Sequence, residues 1–160
     1  MRIDKDFKEF CSGGDMKKKV ATLLFNPNFH SVCLYRLSNI CYKAHIGVMA
    51  KLIWYINRLL FHVDIDYRAN LAGGFVLVHG LGTVIGKNVI SKGRLKVYQH
   101  VTLGGGNGQS PRKDSDGIER GMPLFEDGCV VYTGAIVVGG IIVKKDSIIK
   151  AGSIVTKDVL

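Results

Sequence analysis

The sequence predicts an α+β protein: a short helical region over residues 1–63, then a prism of stacked β-coils over residues 64–160. Three observations carry that expectation. Up to about Val63 the apolar residues recur at three-and-four spacing, the period of a helix face. From Asp64 onward they recur every six residues, a period that belongs to repeat architectures. Glycine supplies 20 of the 160 residues without a Gly-X-Y period, so an ordered, turn-rich structure must consume it.

The helical region reads in order. Gly13-Gly14 makes a break, a short helix follows near residues 16–24, and Pro27 marks the boundary to the next. There Phe29, Val32, Cys33, Leu37, Ile40 and Cys41 keep helical spacing until Gly47 interrupts it. A further helix is expected over residues 48–61, with Leu52, Ile53, Ile56, Leu59 and Leu60 on one face. These residue types predict packing rather than chemistry. The apolar stretch 46–63 carries Lys51, Asn57 and Arg58 within a length barely able to span a bilayer, so it reads as a packed or surface-lying helix.

Residues 125–160 divide without remainder into FEDGCV, VYTGAI, VVGGII, VKKDSI, IKAGSI and VTKDVL. The first position is always bulky and apolar, from Phe125 to Val155. The fourth is Gly or Asp, which tolerate the unusual dihedrals of a corner. The fifth is mostly small and leaves room inside for its larger neighbours. Each hexad then supplies one short strand and one turn, and three hexads close a coil bonded to the next about 4.8 Å away. A buried Val or Ile contributes on the order of 1.5–3 kcal/mol, so the repeat is also the stability core. The same period runs through IDYRAN, LAGGFV and LVHGLG from Ile65 and slips by two residues at Thr83-Val84. It resumes with IGKNVI, SKGRLK and VYQHVT as far as Leu103. Residues 104–124 lose the register and are expected to leave the prism as a Gly-rich loop, where sites are usually built.

Composition narrows the class further. The formal charge is +9, and residues 1–63 hold 10 basic against 4 acidic side chains, so the excess is mostly N-terminal. A basic balance suits any polyanion and selects none. No nucleic-acid partner is expected, and no Gly-Lys-Ser or Gly-Lys-Thr marks a phosphate-binding P-loop. Cys11, Cys33, Cys41 and Cys129 form no CxxC pair and no metal-ligand spacing, and the first ten residues lack an apolar signal core, so a cytoplasmic location is the default.

The stretches DIDYRANLAGGFVLVHGLGTVIG (64–86), VYQHVTLGGG (97–106) and AGSIVTKDV (151–159), with a weaker match at FNPNFHSVCLYRL (25–37), resemble the hexapeptide-repeat acyltransferases, most closely the serine acetyltransferase branch. That resemblance implies a left-handed parallel β-helix, a homotrimer with its sites between neighbouring prisms, and acetyl transfer from acetyl-CoA to a hydroxyl. No metal is implied. His79 falls on the family's general base, and Asp64 on the carboxylate that orients it. The chemistry agrees: an alcohol with a pKa far above 7 needs a base near neutrality, which contributes about 10²- to 10⁴-fold. An orienting carboxylate fixes the tautomer and stabilises the imidazolium. The resemblance also puts Gly105, Gly106, Thr133 and Ala151 along the coenzyme A channel, with Lys150 or Lys157 toward its phosphates or simply solvated. His100 is either a corner turn residue or a contact to acceptor or cofactor.

Two departures bear on the acceptor. The serine enzymes carry an Asp just before the catalytic His and an Arg-His-Pro ahead of the second repeat block; here Val78 and Gly121-Met122-Pro123 stand there, and Arg120 substitutes only with a one-residue shift. A zwitterion needs fixed opposite charges, because a site lacking them leaves its ammonium and carboxylate unpaired. The expectation is therefore a sugar O-acetyltransferase acting on a surface polysaccharide or its precursor, with His100, Arg120 and Met122 as acceptor contacts. Serine O-acetyltransferase is the alternative, and a non-catalytic trimeric scaffold a further one. Arg36, Lys43, Lys51, Trp54, Tyr55 and Arg58 are expected to make a basic, aromatic helical face able to lie against the inner side of a membrane.

Overall fold

The computed structural model describes residues 2–106, 111–113, 117 and 119–160. Four helices come first: α1 (Arg2–Phe10), α2 (Met16–Phe25), α3 (Pro27–Lys43) and α4 (Gly47–Phe61). No helix is expected from the sequence analysis at α1, although Ile3, Phe7, Phe10 and Cys11 keep three-and-four spacing there. Asp15 caps α2 by accepting from the Lys18 amide, and Asn26 caps α3 by accepting from the amides of Asn28 and Phe29, with Pro27 in the first turn. Ser38 and Asn57 bond carbonyls across the α3–α4 contact. Among the described residues no helix is long and apolar enough to cross a membrane.

From Asp64 the chain winds into a three-faced prism of parallel strands. One face holds β1 (Asp64–Ile65), β4 (Val84–Ile85), β7 (Thr102–Gly104), β12 (Ile136–Val138) and β15 (Ile154–Val155). The second holds β2 (Asn70–Leu71), β5 (Ile90–Ser91), β10 (Leu124–Phe125) and β13 (Ile142–Val143). The third holds β3 (Phe75–Val78), β6 (Leu95–Tyr98), β11 (Cys129–Val131) and β14 (Ile148–Ile149). First positions of the hexads, from Ile65 through Leu77, Leu103 and Phe125 to Val143, are buried, and so are fifth positions such as Ala69, Val89, Val101 and Ala135. Fourth positions make corners: Gly128, Gly134, Asp146 and Gly152 all have positive φ, although in the third hexad Gly139 takes that role instead of Gly140.

Register shows where the repeat is interrupted. Ile142 pairs with Leu124 eighteen residues earlier, a regular coil. Val78 pairs with Tyr98 at twenty residues, whereas Val84 pairs with Thr102 at eighteen, so the two extra residues sit between Val78 and Val84. The slip in the sequence is thus a swollen corner that begins at His79. Leu103 pairs with Val137 thirty-four residues on, and within that span β8 (Arg112–Lys113) and β9 (Glu119–Arg120) pair antiparallel. The expected 104–124 loop lies in part outside the described residues.

A first coil has no strand beneath it, and its open backbone groups need partners. The helices supply them. Buried Asp6 accepts from the amides of Gly74 and Phe75, and buried Arg36 donates to the carbonyls of Leu71 and Ala72. Tyr35 Oη and Asn39 Nδ2 donate to the carbonyls of Ala69 and Tyr67. Asp6 and Arg36 meet each other at 2.8 Å. Phe75, Leu71 and Ile65 of the first coil share one core with Val32 and Tyr35 of α3.

Candidate functional site

One corner of the prism, where the third face turns into the first, is built differently from the others. Backbone bonds stack its turns in a column: Gly82 N–H to the His62 carbonyl, His100 N–H to Leu81, Gly134 N–H to Gln99, and Gly152 N–H to Thr133. In the upper coils the left-handed positions are glycines, Gly134 and Gly152. In the lower turns the stacked positions are His100, with φ of 57°, and Gly82, and the swollen turn adds Gly80 and His79, the latter at 62°, above His62, the left-handed C-cap of α4 at 52°. A non-glycine residue in that region costs roughly 1–2 kcal/mol, and such strain clusters at functional sites. His79 and His100 are both solvent-exposed. The His100 ring packs so closely on Gly82 that a Cβ there would overlap it.

The structure thus brings His79, His100, Thr133 and Ala151 to one corner, with Lys150 beside Ala151. Tyr98, in register with Val78, stacks on Tyr132 with ring centroids 4.7 Å apart, a contact the sequence reading passed over. Asp64 lies below this corner, in an open cleft of about 440 Å³ shared with Arg58, His62, Gly82 and Val84. Its carboxylate accepts from Trp54 Nε1 at 2.9 Å and pairs with Arg58 at 3.1 Å. Among the described residues no hydrogen bond from the His79 ring to the Asp64 carboxylate is formed; that carboxylate is engaged instead by Trp54 and Arg58 from α4. Their four-residue spacing puts both on one side of α4, which would have been the signal for them.

That finding also bears on the expected membrane face. Of its six residues, Arg36 is buried against Asp6, and Trp54 and the exposed Arg58 are engaged with Asp64.

The remaining candidates sit at the opposite edge of the first face. Met122 packs against Gly86 and Gly105, and its sulfur lies 3.4 Å from the Asn88 amide. Arg120 lines a cleft of about 280 Å³ with Arg68, Lys87 and Asn88. Gly105 and Gly106 follow β7, and Lys157 follows β15, on that same edge. A single chain therefore presents two half-sets of candidate residues, separated by the width of the first face. Among the described residues no group of three or more His, Cys, Asp or Glu side chains could hold a metal.

No protein-family model matches the chain. By sequence it is similar to the serine acetyltransferase of Synechococcus elongatus, 34% identical over 86% of this chain and 53% of the relative. By fold it is similar to the serine acetyltransferase of Neisseria gonorrhoeae in complex with serine, at TM-score 0.83 and 26% identity over 98% of this chain and 61% of that one. The serine acetyltransferase of Brucella abortus in complex with coenzyme A matches at TM-score 0.84 and 26% identity, over 98% of this chain and 60% of that one. Likeness at this level supports the left-handed prism expected from the resemblance. The chain spans about half to three-fifths of the length of these relatives. These relatives are serine acetyltransferases, and none of them is a polysaccharide-modifying enzyme.

Proposed function

We propose that this chain, a relative of the serine acetyltransferase branch of the hexapeptide-repeat acyltransferases, transfers an acetyl group from acetyl-CoA to a hydroxyl. The observation that carries the reading is the swollen corner that presents His79 in a strained, exposed conformation on the same corner as Thr133 and Ala151, with the His100 turn between. His79 takes the proton of the acceptor hydroxyl as its oxygen attacks the thioester carbonyl carbon. The carbon–sulfur bond breaks, and the leaving thiolate takes the proton back from the imidazolium. Asp64, held by Trp54 and Arg58, supports the imidazolium by its charge. Gly105 and Gly106 offer backbone amides, Thr133 and Ala151 a narrow wall, and Lys150 and Lys157 cations for the cofactor's phosphates.

The two half-sets of residues fit a homotrimer in which the His79 corner of one copy faces the Met122 edge of its neighbour. The acceptor supported by the relatives is serine. A second reading, a sugar hydroxyl, is favoured by Val78 beside His79 and by Gly121-Met122, which leave no charged pair in register for a zwitterion. Incubation with acetyl-CoA and either serine or a saccharide panel, following thiol release, separates the two. Serine-dependent turnover that disappears in His79→Ala supports the first reading, and saccharide-only turnover supports the second. Thiol release from no acceptor at all, without binding of coenzyme A, overturns the enzyme reading in favour of a scaffold.

A further inference from the structure

The segment between Asp15 and Asp64 contains no acidic residue and seven basic ones, Lys17, Lys18, Lys19, Arg36, Lys43, Lys51 and Arg58. Within it α2 is the element least absorbed by the fold. It buries Thr22 and exposes Met16 at 70%, Val20 at 47%, Leu23 at 57%, Leu24 at 56% and Phe25 at 77%. At 100° per residue, Met16, Val20, Leu23 and Leu24 form one continuous stripe, and Thr22 points away from it into the protein. Lys17 and Lys19 fall on the two flanks of that stripe. Lys18 falls on the packed side, where its Nζ donates to the Ser12 carbonyl at 2.8 Å.

We infer that α2 is an interfacial anchor whose apolar stripe enters the surface of an anionic lipid bilayer, with Lys17 and Lys19 reaching its phosphates. An apolar face bordered by lysines, with the capping Asp15 as its one adjacent acid and engaged by the Lys18 amide, has the charge pattern of a surface-lying helix. A second copy of this chain would bring the same lysines against these, with no carboxylate on α2 to neutralise them. An anionic membrane neutralises both flanks at once and covers the stripe with acyl chains. Long lysine stems suit the arrangement, since their heads reach headgroup level while the apolar side chains sink deeper. This places the contact on α2 rather than on the α3–α4 face that the sequence suggested.

The test is sedimentation of the full chain with vesicles of phosphatidylcholine alone or mixed with phosphatidylglycerol, at low and high salt. Binding only to the anionic vesicles, weakened by salt, is expected. Lys17→Glu with Lys19→Glu is expected to weaken it about tenfold or more, and Leu23→Ser with Leu24→Ser to abolish it. All four side chains are exposed, so helical circular dichroism and thermal midpoint should match the parent. Absence of binding to anionic vesicles overturns the inference, as does binding that survives both double variants. Self-association that depends on Leu23 and Leu24, without vesicle binding, overturns it in favour of a second copy.

Discussion

His79 holds its left-handed backbone at a cost, and that makes function and stability separable at this residue. Glycine adopts φ near 62° without penalty, so His79→Gly should leave the thermal midpoint unchanged or slightly higher. The same change should lower kcat/KM by about 10²- to 10⁴-fold. A large fall in midpoint would instead make the imidazole a packing group. Cys129 behaves in the opposite way. Burial pushes its thiol up to about 11, and its sulfur donates to the carbonyls of Glu126 and Lys144. It should resist thiol reagents at neutral pH in the native protein and react only after unfolding, since the thiolate is the reactive form. Rapid native labelling of Cys129, read by peptide mapping, would contradict that. For Asp64→Asn the expected outcome is a large loss in kcat with acetyl-CoA binding nearly unchanged; retained activity would remove Asp64 from the mechanism.

Among the elements, α1 and α3 act as the missing coil beneath β2 and β3. Asp6→Ala would strip four hydrogen bonds from the first coil and from Arg36, and leave that guanidinium buried without its counter-ion. Breaking a buried pair in this way costs about 3–5 kcal/mol, which urea unfolding would read directly. The corner at Arg94 and Asp127 is an exposed counterpart. Hydrogen bonds from Arg94 hold the Asp127 carboxyl below its ordinary value. The stability it contributes is present above the ordinary carboxylate range and is lost as pH falls through the depressed value. Solvent screening keeps that contribution small. Asp127→Asn should therefore change the acid limb of the stability curve and little else.

On the scale of the whole molecule, the width of the first face separates His79 from Met122, and in the proposed homotrimer a neighbouring copy would unite them. Two inactive variants, His79→Ala and Gly105→Trp, should then regain part of their activity when mixed and reassembled, because some sites combine two intact halves. If mixtures stay as inactive as their components while forming mixed trimers, each site lies within one chain.

The hexad period was readable because every coil repeats the same burial: Ile65, Leu71, Leu77 and Val97 point inward for the same reason as Val131 and Val143. His79 was readable as a chemical group in a corner position. The two-residue slip was also visible, but not that it enlarges the His79 corner, since only the pairing of Val78 with Tyr98 and of Val84 with Thr102 locates it. The partners of Asp64 escaped sequence reasoning, as did the capping of the first coil by Asp6 and Arg36. Local periodicity reports which face of a strand or helix is apolar. The docking of helices onto a prism edge depends on unpaired backbone groups brought together from residues some 30 to 70 apart, and that is decided only when the chain has folded.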